Sequence, residues 1–506
     1  MATTTQYPGH ASPLPSPGAA GATGSHAKVA PGEIAVGVVI GRASEYFDFF
    51  VFGIACVLVF PRVFFPFEPQ LEGTLWAFVI FSFAFIARPI GTAVSMAIQR
   101  RWGRGTKLTI ALFLLGTATV GMAFLPGYDV IGAHAIVLLA VFRCLQGLAF
   151  GGSWDGLPSL LALNAPPKRR GWYAMLGQLG APIGFMIASA LFLFLHVTLT
   201  EADFIEWGWR YPFFVAFAIN VVALFARLRL VVTEEYTQLM EEGELEPIST
   251  GQMVREQGYN LFLGAFAALA SYALFHLVTV FPLSWIAVSA TQQIPDVLIV
   301  QIIGAGLGIL GTIASGWIAD RIGRRTTLGL LAALIGVFAL FTPWLLGGSP
   351  KAQDAFILIG FALLGLSYGQ ASGTVTANFS KRFRYTGAAL TTDMAWLVGA
   401  AFAPLVALGL SARFGLVAVS IYLLSGTACT LLALRINKAL ETRDLKKRHG
   451  SGFGPRPAAR HARVSAPANH TSGRRRAIAR SGRAAASWRW PCPGCVHSSR
   501  HNCRPA

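Results

Sequence analysis

Residues 296–325 read DVLIVQIIGAGLGILGTIASGWIADRIGRR. No charged side chain occurs between Val297 and Ala319. About 20 apolar residues, rising ~1.5 Å each as a helix, cross a hydrocarbon core ~30 Å thick. The run then stops in Asp320, Arg321, Arg324 and Arg325. An apolar helix that ends in a basic cluster is a membrane span with one of its ends marked.

The same pattern recurs on both sides of this stretch. Apolar runs of sufficient length lie near 34–60, 73–98, 107–126, 134–164, 172–197, 210–232, 260–286, 296–318, 327–347, 354–378, 387–411 and 414–436. The sequence thus predicts an all-α membrane protein of about twelve spans. Every second connection is basic, holding Arg100, Arg101, Arg104 and Lys107, then Lys168, Arg169 and Arg170, then Arg321, Arg324 and Arg325, then Lys381, Arg382 and Arg384. The alternate connections hold little beyond Arg62, Lys351 and Arg413. The positive-inside rule places the first set, and both termini, in the cytoplasm. A multi-pass protein of a cell membrane, the bacterial inner membrane, is expected.

Composition agrees. The chain is 54 % hydrophobic and 13 % charged, with a mean hydropathy of +0.56, whereas soluble domains are about one-quarter charged. A net charge of +18 would suit a nucleic-acid partner, but its distribution does not. From Glu441 onward fifteen Lys/Arg face two acids, and the remaining basic residues sit between apolar runs. No nucleic-acid partner is expected. Cys56, Cys144 and Cys429 lie singly in apolar runs as packing residues. Cys492, Cys495 and Cys503 stand near His497 and His501 but without a second ligand pair at zinc-finger spacing, so neither metal nor cofactor is expected.

Residues 1–31 form a Pro/Gly/Ala/Ser/Thr-rich leader read as disordered. A loop at 233–258, carrying Glu241, Glu242, Glu244 and Glu246, divides the chain into bundles at 32–232 and 259–440. The segment 441–506, rich in Arg, Ala, Pro and Ser, is read as disordered. It is either a basic tail drawn to anionic lipid or the product of a shifted frame in GC-rich DNA. The two bundles are internal repeats. Arg101-Trp-Gly103-Arg104 after the second span returns as Arg321-Ile-Gly323-Arg324 after the eighth. Lys168-Arg-Arg-Gly171 after the fourth is echoed by Arg382-Phe-Arg-Tyr-Thr-Gly387 after the tenth. Repeats around a central cavity are a plan of secondary transporters.

At these loops the chain resembles the major facilitator superfamily, whose loop signature is close to Gly316-Trp-Ile-Ala-Asp320-Arg321-Ile-Gly323-Arg324-Arg325. Five further stretches resemble the metabolite:proton symporter family within it. They are Glu45-Tyr-Phe-Asp48-Phe, Ala87-Arg-Pro-Ile-Gly91, Arg143-Cys-Leu-Gln-Gly-Leu-Ala-Phe-Gly-Gly152, Ala165-Pro-Pro-Lys-Arg-Arg-Gly171 and Gly208-Trp-Arg-Tyr-Pro-Phe213. That family includes uptake systems for α-ketoglutarate, citrate, shikimate, and proline or betaine. The resemblance implies a latch at the cytoplasmic end made by Asp320 with arginines. The chain departs from the family where Arg100 replaces an Asp, Met96 replaces a Gly, the acid of the fourth span sits at Asp155, and Asp393 stands in place of an Asn. Arg100 and Asp155 are expected to form a repositioned latch pair.

An ionised side chain at mid-bilayer costs roughly 2.5–3.5 kcal/mol on insertion scales, so such groups mark function. Glu45 and Asp48, three residues apart, are expected to share a face and titrate as a coupled proton-carrying pair; the alternative is that one pairs with Arg143 to hold two spans together. Arg143 and Gln146 are expected to face the cavity, with Arg143 binding a substrate carboxylate or serving as counter-ion to Asp48. Asp393 is either a second proton site or an N-terminal-turn carboxylate favoured by the helix dipole. Gln178, Gln301, Tyr368 and Gln370 are candidate cavity liners, and His276 a satisfied packing residue. The gate residues are Arg100, Arg101, Gly103, Arg104, Asp155, Gly316, Asp320, Arg321, Gly323, Arg324 and Arg325.

No HExxH or nucleotide-binding signature appears in the body, so no enzyme is expected. The reading is a monomeric, proton-coupled importer of a small organic acid or zwitterionic metabolite. A proton-exchange exporter and a non-transporting metabolite sensor are the alternatives. Deleting residues 450–506 is expected to leave transport intact. Loss of activity at normal expression would show the tail to be functional.

Overall fold

The computed structural model describes residues 31–153, 167–231, 246–371 and 379–450. In hydrocarbon the backbone has no water to bond, so each apolar run closes its own hydrogen bonds as a helix. The first six spans are Pro31–Leu58, the two arms of Gln70–Ala123, Ala133–Gly152, Arg170–Leu176 with Gly180–Thr198, and Tyr211–Val231. Span seven is built of Thr250–Ala267, Leu269–Thr279 and Phe281–Ser289, and spans eight to ten of Ile294–Ile322, Arg324–Leu346 and Pro350–Tyr368. Span eleven joins Arg384–Ala395 to a π-turn at Trp396–Ala400 and to Ala403–Phe414; span twelve is Leu416–Gly450.

Among the described residues, eight helical stretches are long and apolar enough to cross a membrane by length and composition alone. One of them, 54 residues long, supplies spans two and three. Span one, by contrast, carries Arg42, Glu45 and Asp48 in its middle. The outer surface is apolar, with Phe113, Phe124 and Trp344 each 71 % exposed, as a lipid-facing exterior requires.

Glycine sets how closely the helices cross. A Cβ at Gly151 of span four would stand 2.3 Å from the carbonyl oxygen of Arg88 in span two. At Gly365 of span ten it would stand 2.2 Å from the carbonyl oxygen of Gly308 in span eight. Two helices pressed to backbone contact is the small-residue packing of membrane bundles, and both halves use it at the equivalent pair of spans.

The turns between spans two and three and between eight and nine also match. Gly103 has φ 81°, ψ 173° and Gly323 has φ 85°, ψ 145°, a region open essentially to glycine alone. The repeated Arg-x-Gly-Arg is thus a conformational requirement met twice.

Three boundaries differ from the sequence reading. Span seven starts at Thr250, inside the segment expected as loop, because Ser249 caps it by accepting from the Gln252 amide at 3.3 Å. Span twelve continues as helix to Gly450, where a disordered tail was expected from Glu441; helix-favouring Leu, Lys and Arg fill that stretch. Span five breaks at Gly177-Gln178-Leu179, the bend its glycines suggested, and Gly180 and Gly184 press against span one.

Replacing Gly323 with Ala is expected to destabilise the protein by ~1–3 kcal/mol through backbone strain. The helical Gly105 has open space around it, and Gly105→Ala is expected to be neutral or mildly stabilising. Thermal unfolding of both variants in detergent tests this. Equal melting points would remove the conformational argument.

Candidate functional site: a cavity between the two halves

A narrow cavity lies between spans one, two and four of the first half and span eleven of the second. Arg42, Glu45, Tyr46 and Phe49 reach it from span one, Ala84, Phe85 and Arg88 from span two, Phe150 from span four and Trp396 from span eleven. Its two arginines are each met by a carboxylate. Arg42 Nη1 donates to Glu45 Oε2 at 2.7 Å, one turn along the same helix. Arg88 Nε donates to Asp393 Oδ1 at 2.7 Å from span two to span eleven, and Thr92 donates to Oδ2 at 2.5 Å. Isolated charges at this depth would be expensive, and each pair neutralises one.

Asp48 lies elsewhere. It is fully buried among spans three, four and six, where Thr119 and Asn220 each donate to Oδ2 at 2.8 Å and Gln146 Nε2 donates to Oδ1 at 2.9 Å. Arg143 Nη1 donates to Gln146 Oε1 at 2.9 Å and Nε to the Phe81 carbonyl at 3.3 Å. Its guanidinium carbon sits 4.0 Å from the Phe52 ring centroid, a desolvated cation–π contact. Side chains join spans one, three, four and six in this network, and the Phe81 carbonyl adds span two.

An aromatic layer closes the cavity on one side. Trp396 stacks on Phe85 with ring centroids 5.7 Å apart, and Tyr272 and Phe275 meet Trp396 edge-on. Trp396 opens the π-turn, and Pro404 follows it without the amide that the Ala400 carbonyl would otherwise accept. His276 stacks on Phe49 at 5.4 Å, and its buried Nε2 has no partner among the described residues. Tyr46 and Tyr368 share a hydroxyl–hydroxyl hydrogen bond between spans one and ten.

The end that carries the basic loops is shut. Asp320 accepts from the Gly171 amide at 2.7 Å and from the Trp172 amide at 3.2 Å. Gln370 Nε2 donates to the Gly171 carbonyl at 3.1 Å, and Trp172 stacks on Trp317. Tyr385 donates to Gln99 at 3.0 Å and accepts from Lys107 at 3.0 Å. At the opposite end, Arg62 donates to Glu201 and holds that exposed carboxyl below its ordinary range.

Several expectations change on this geometry. Glu45 and Asp48 do not share a site: only about 60° apart around the helix, they straddle the edge where span one passes from cavity to bundle core, Glu45 bonding Arg42 at the cavity and Asp48 bonding Thr119, Gln146 and Asn220 in the core. Arg143 and Gln146 face that core rather than the cavity. Asp393 is not in the first turn of its helix; it is the tenth residue of Arg384–Ala395, held by Arg88. Tyr368 lines a second, apolar cavity with Phe185 and Phe361. Gln370 serves the shut end, Gln301 donates to the Thr279 carbonyl at 2.6 Å, and Gln178 is buried in the bend of span five, its Oε1 unpartnered among the described residues. His276 packs as expected but is not satisfied.

In the gate, Asp320 binds backbone amides and not an arginine, because the orphan N–H groups at the start of span five point at it. Gly316 lies against Trp172, Arg100 Nη1 donates to the Ile248 carbonyl at 3.3 Å, Arg101 lies over Trp102, Arg104 is buried, Arg321 is exposed, and Arg325 donates to the Leu434 carbonyl at 3.1 Å. Arg324 Nε and Nη2 are buried without a partner among the described residues. Asp155, the expected partner of Arg100, lies outside the described residues.

Among the cavity residues not singled out in the sequence are Arg42, Arg88 and Trp396. The arginines had a signal, since an arginine inside an apolar run is a functional candidate by default. Trp396 had none, because a tryptophan in a span reads as packing.

Twelve spans among the described residues, with a cavity that both halves line, are the plan of a secondary transporter, not of an enzyme. The chain belongs to the Major Facilitator Superfamily, whose profile matches residues 130–404. The inner membrane metabolite transport protein YhjE of Escherichia coli K12 is 36 % identical over 411 residues, covering 79 % of this chain and 93 % of that protein. The shikimate transporter of E. coli K12 is 29 % identical, covering 79 % and 92 %. The citrate-proton symporter of Salmonella typhi is 27 % identical, covering 74 % and 86 %. A partially occluded, inward-open structure of the xylose transporter XylE from E. coli superposes with a TM-score of 0.57 at 18 % identity, over 79 % of this chain and 97 % of that one; that likeness shows the fold.

Hydrogen bonds to a charged group contribute about 1.5–3 kcal/mol each, so Asp320→Ala is expected to loosen the shut end. Met175 is buried beside Gly316. Maleimide labelling of a Met175→Cys variant is expected to rise several-fold when Asp320→Ala is added. Unchanged labelling would show that Asp320 does not hold this end closed.

Proposed function

We propose that the chain imports a small organic acid or zwitterionic metabolite together with protons, by alternating access between bundles at 32–232 and 259–440. The observation that carries this reading is the Arg88–Asp393 pair. It joins a cation at the wall of the cavity to a titratable carboxylate on the opposite half of the molecule. A carrier that moves charge must rearrange such a pair each time its halves separate. The relatives named for shikimate and for citrate with protons support a carboxylate substrate. Glu45, Asp48 and Asp393 are the candidate proton carriers. Of these, Glu45 lines the cavity and Asp393 is bonded to the cavity-lining Arg88, while Asp48 ties spans one, three, four and six.

In this reading the basic loops face the cytoplasm of a bacterium, with both termini there, and the protein works in the inner membrane as a monomer. The gate at the cytoplasmic end is then closed, and substrate enters from the opposite side.

Purified protein in proteoliposomes, given an inward proton gradient, tests it. Labelled shikimate, citrate or proline is expected to accumulate above its external concentration, and a protonophore is expected to abolish the accumulation. Loss of preloaded substrate under the same gradient would establish an exporter instead. Transport indifferent to the gradient would sink the coupling.

A further inference from the structure

Arg88 is held by one edge only. Its Nε bonds Asp393, whereas Nη1 and Nη2 have no hydrogen bond among the described residues, and the side chain lines the cavity. A guanidinium fixed at Nε presents its two terminal nitrogens as a fork, the geometry that takes a carboxylate through two parallel bonds. Trp396 lines the same cavity, and its buried Nε1 donor has no acceptor among the described residues. Between fork and indole the walls are the rings of Phe49, Phe85 and Phe150.

We propose that the Arg88 fork is the receptor for the carboxylate of a small, ring-bearing monocarboxylate, and that Asp393, behind it, takes the cotransported proton. This rests on the reading of the chain as a proton-coupled carrier. With the cavity empty, one guanidinium charge is balanced by one carboxylate. A second carboxylate on the fork leaves an excess negative charge, which a proton on Asp393 removes. The proton comes from water on the side of entry, forms an O–H bond at Asp393, and returns to water on the side of release when the substrate leaves Arg88. Linkage then makes the coupling reciprocal, so proton and carboxylate each strengthen the other's binding.

Besides Arg88, the charged and titratable groups that bear on Asp393 are Arg42, with its partner Glu45, and the Tyr272 phenol. Lys107 sits toward the basic end on Tyr385, eight residues or about 12 Å along the helix from Asp393. Glu45 is bonded on its own helix to Arg42, which leaves Asp393 as the acid directly coupled to the fork.

Thermal shift of the full-length protein with benzoate, shikimate and benzamide is the first test. Benzoate or shikimate is expected to raise the melting point, while uncharged benzamide of the same shape does not. Arg88→Gln is expected to remove the response. Because that change strands Asp393, the double variant Arg88→Gln with Asp393→Asn is measured beside it and is expected to be equally unresponsive.

Asp393→Asn alone is expected to keep carboxylate binding but to lose its pH dependence. In wild type that dependence strengthens affinity by up to about tenfold per pH unit as pH falls, the limit for one linked proton. The same variant in proteoliposomes is expected to exchange substrate yet fail to accumulate it on a proton gradient, and Asp393→Glu is expected to restore part of the accumulation. A benzamide shift equal to that of benzoate, no shift with either acid, or a response surviving in both Arg88 variants would overturn the receptor. Gradient-driven accumulation by Asp393→Asn would overturn the proton site while leaving wild-type coupling intact. A wild type blind to the gradient would instead remove the carrier reading itself.

Discussion

Hydrocarbon offers no hydrogen-bonding partner, and this single constraint sorts every charge in the molecule. Lysines and arginines that can reach water collect at one end, where they mark alternate loops. Those within the bilayer are compensated on the spot: Arg42 by Glu45, Arg88 by Asp393, and Arg143 by a glutamine, a carbonyl and the face of Phe52. The helices are then pressed to backbone contact by glycine, because between apolar surfaces in lipid only close packing and such polar ties favour association.

The two halves repeat the same devices without repeating their chemistry. Glycines of matching φ turn both loops, and matching glycines let span four cross span two and span ten cross span eight. At the shut end the symmetry stops. The second half offers Asp320, an anion that meets the positive end of a helix. The first half has Arg100 in that place and closes through Tyr385, Gln99 and Lys107. One side of the closure is therefore charge against backbone, and the other is a side-chain cluster. The two need not release under the same conditions.

The fold was largely legible because its signal is one-dimensional: the length of an apolar run and the charge that follows it. The twelve spans, the alternation of basic loops and the glycine turns all follow from that. The site was legible only in part. Glu45, Asp48, Arg143 and Asp393 were recognisable as intramembrane charges, but their partners depend on helix rotation and crossing, which no single run encodes. Asp48 and Glu45 illustrate this, being one turn apart in sequence and in different environments in space. Arg88 was visible within a family stretch and was read there as a marker. Only the approach of span eleven, loosened at its π-turn, shows it to be part of the cavity wall.

Asp320 grips the peptide groups of Gly171 and Trp172, not any side chain of theirs. A receptor made of main chain is written into every sequence that forms a helix there. Drift at position 172 can remove the indole but, proline excepted, cannot remove the amide. Half of this clasp is thus shielded from most point mutations, and the evolutionary burden of keeping it falls almost wholly on one carboxylate.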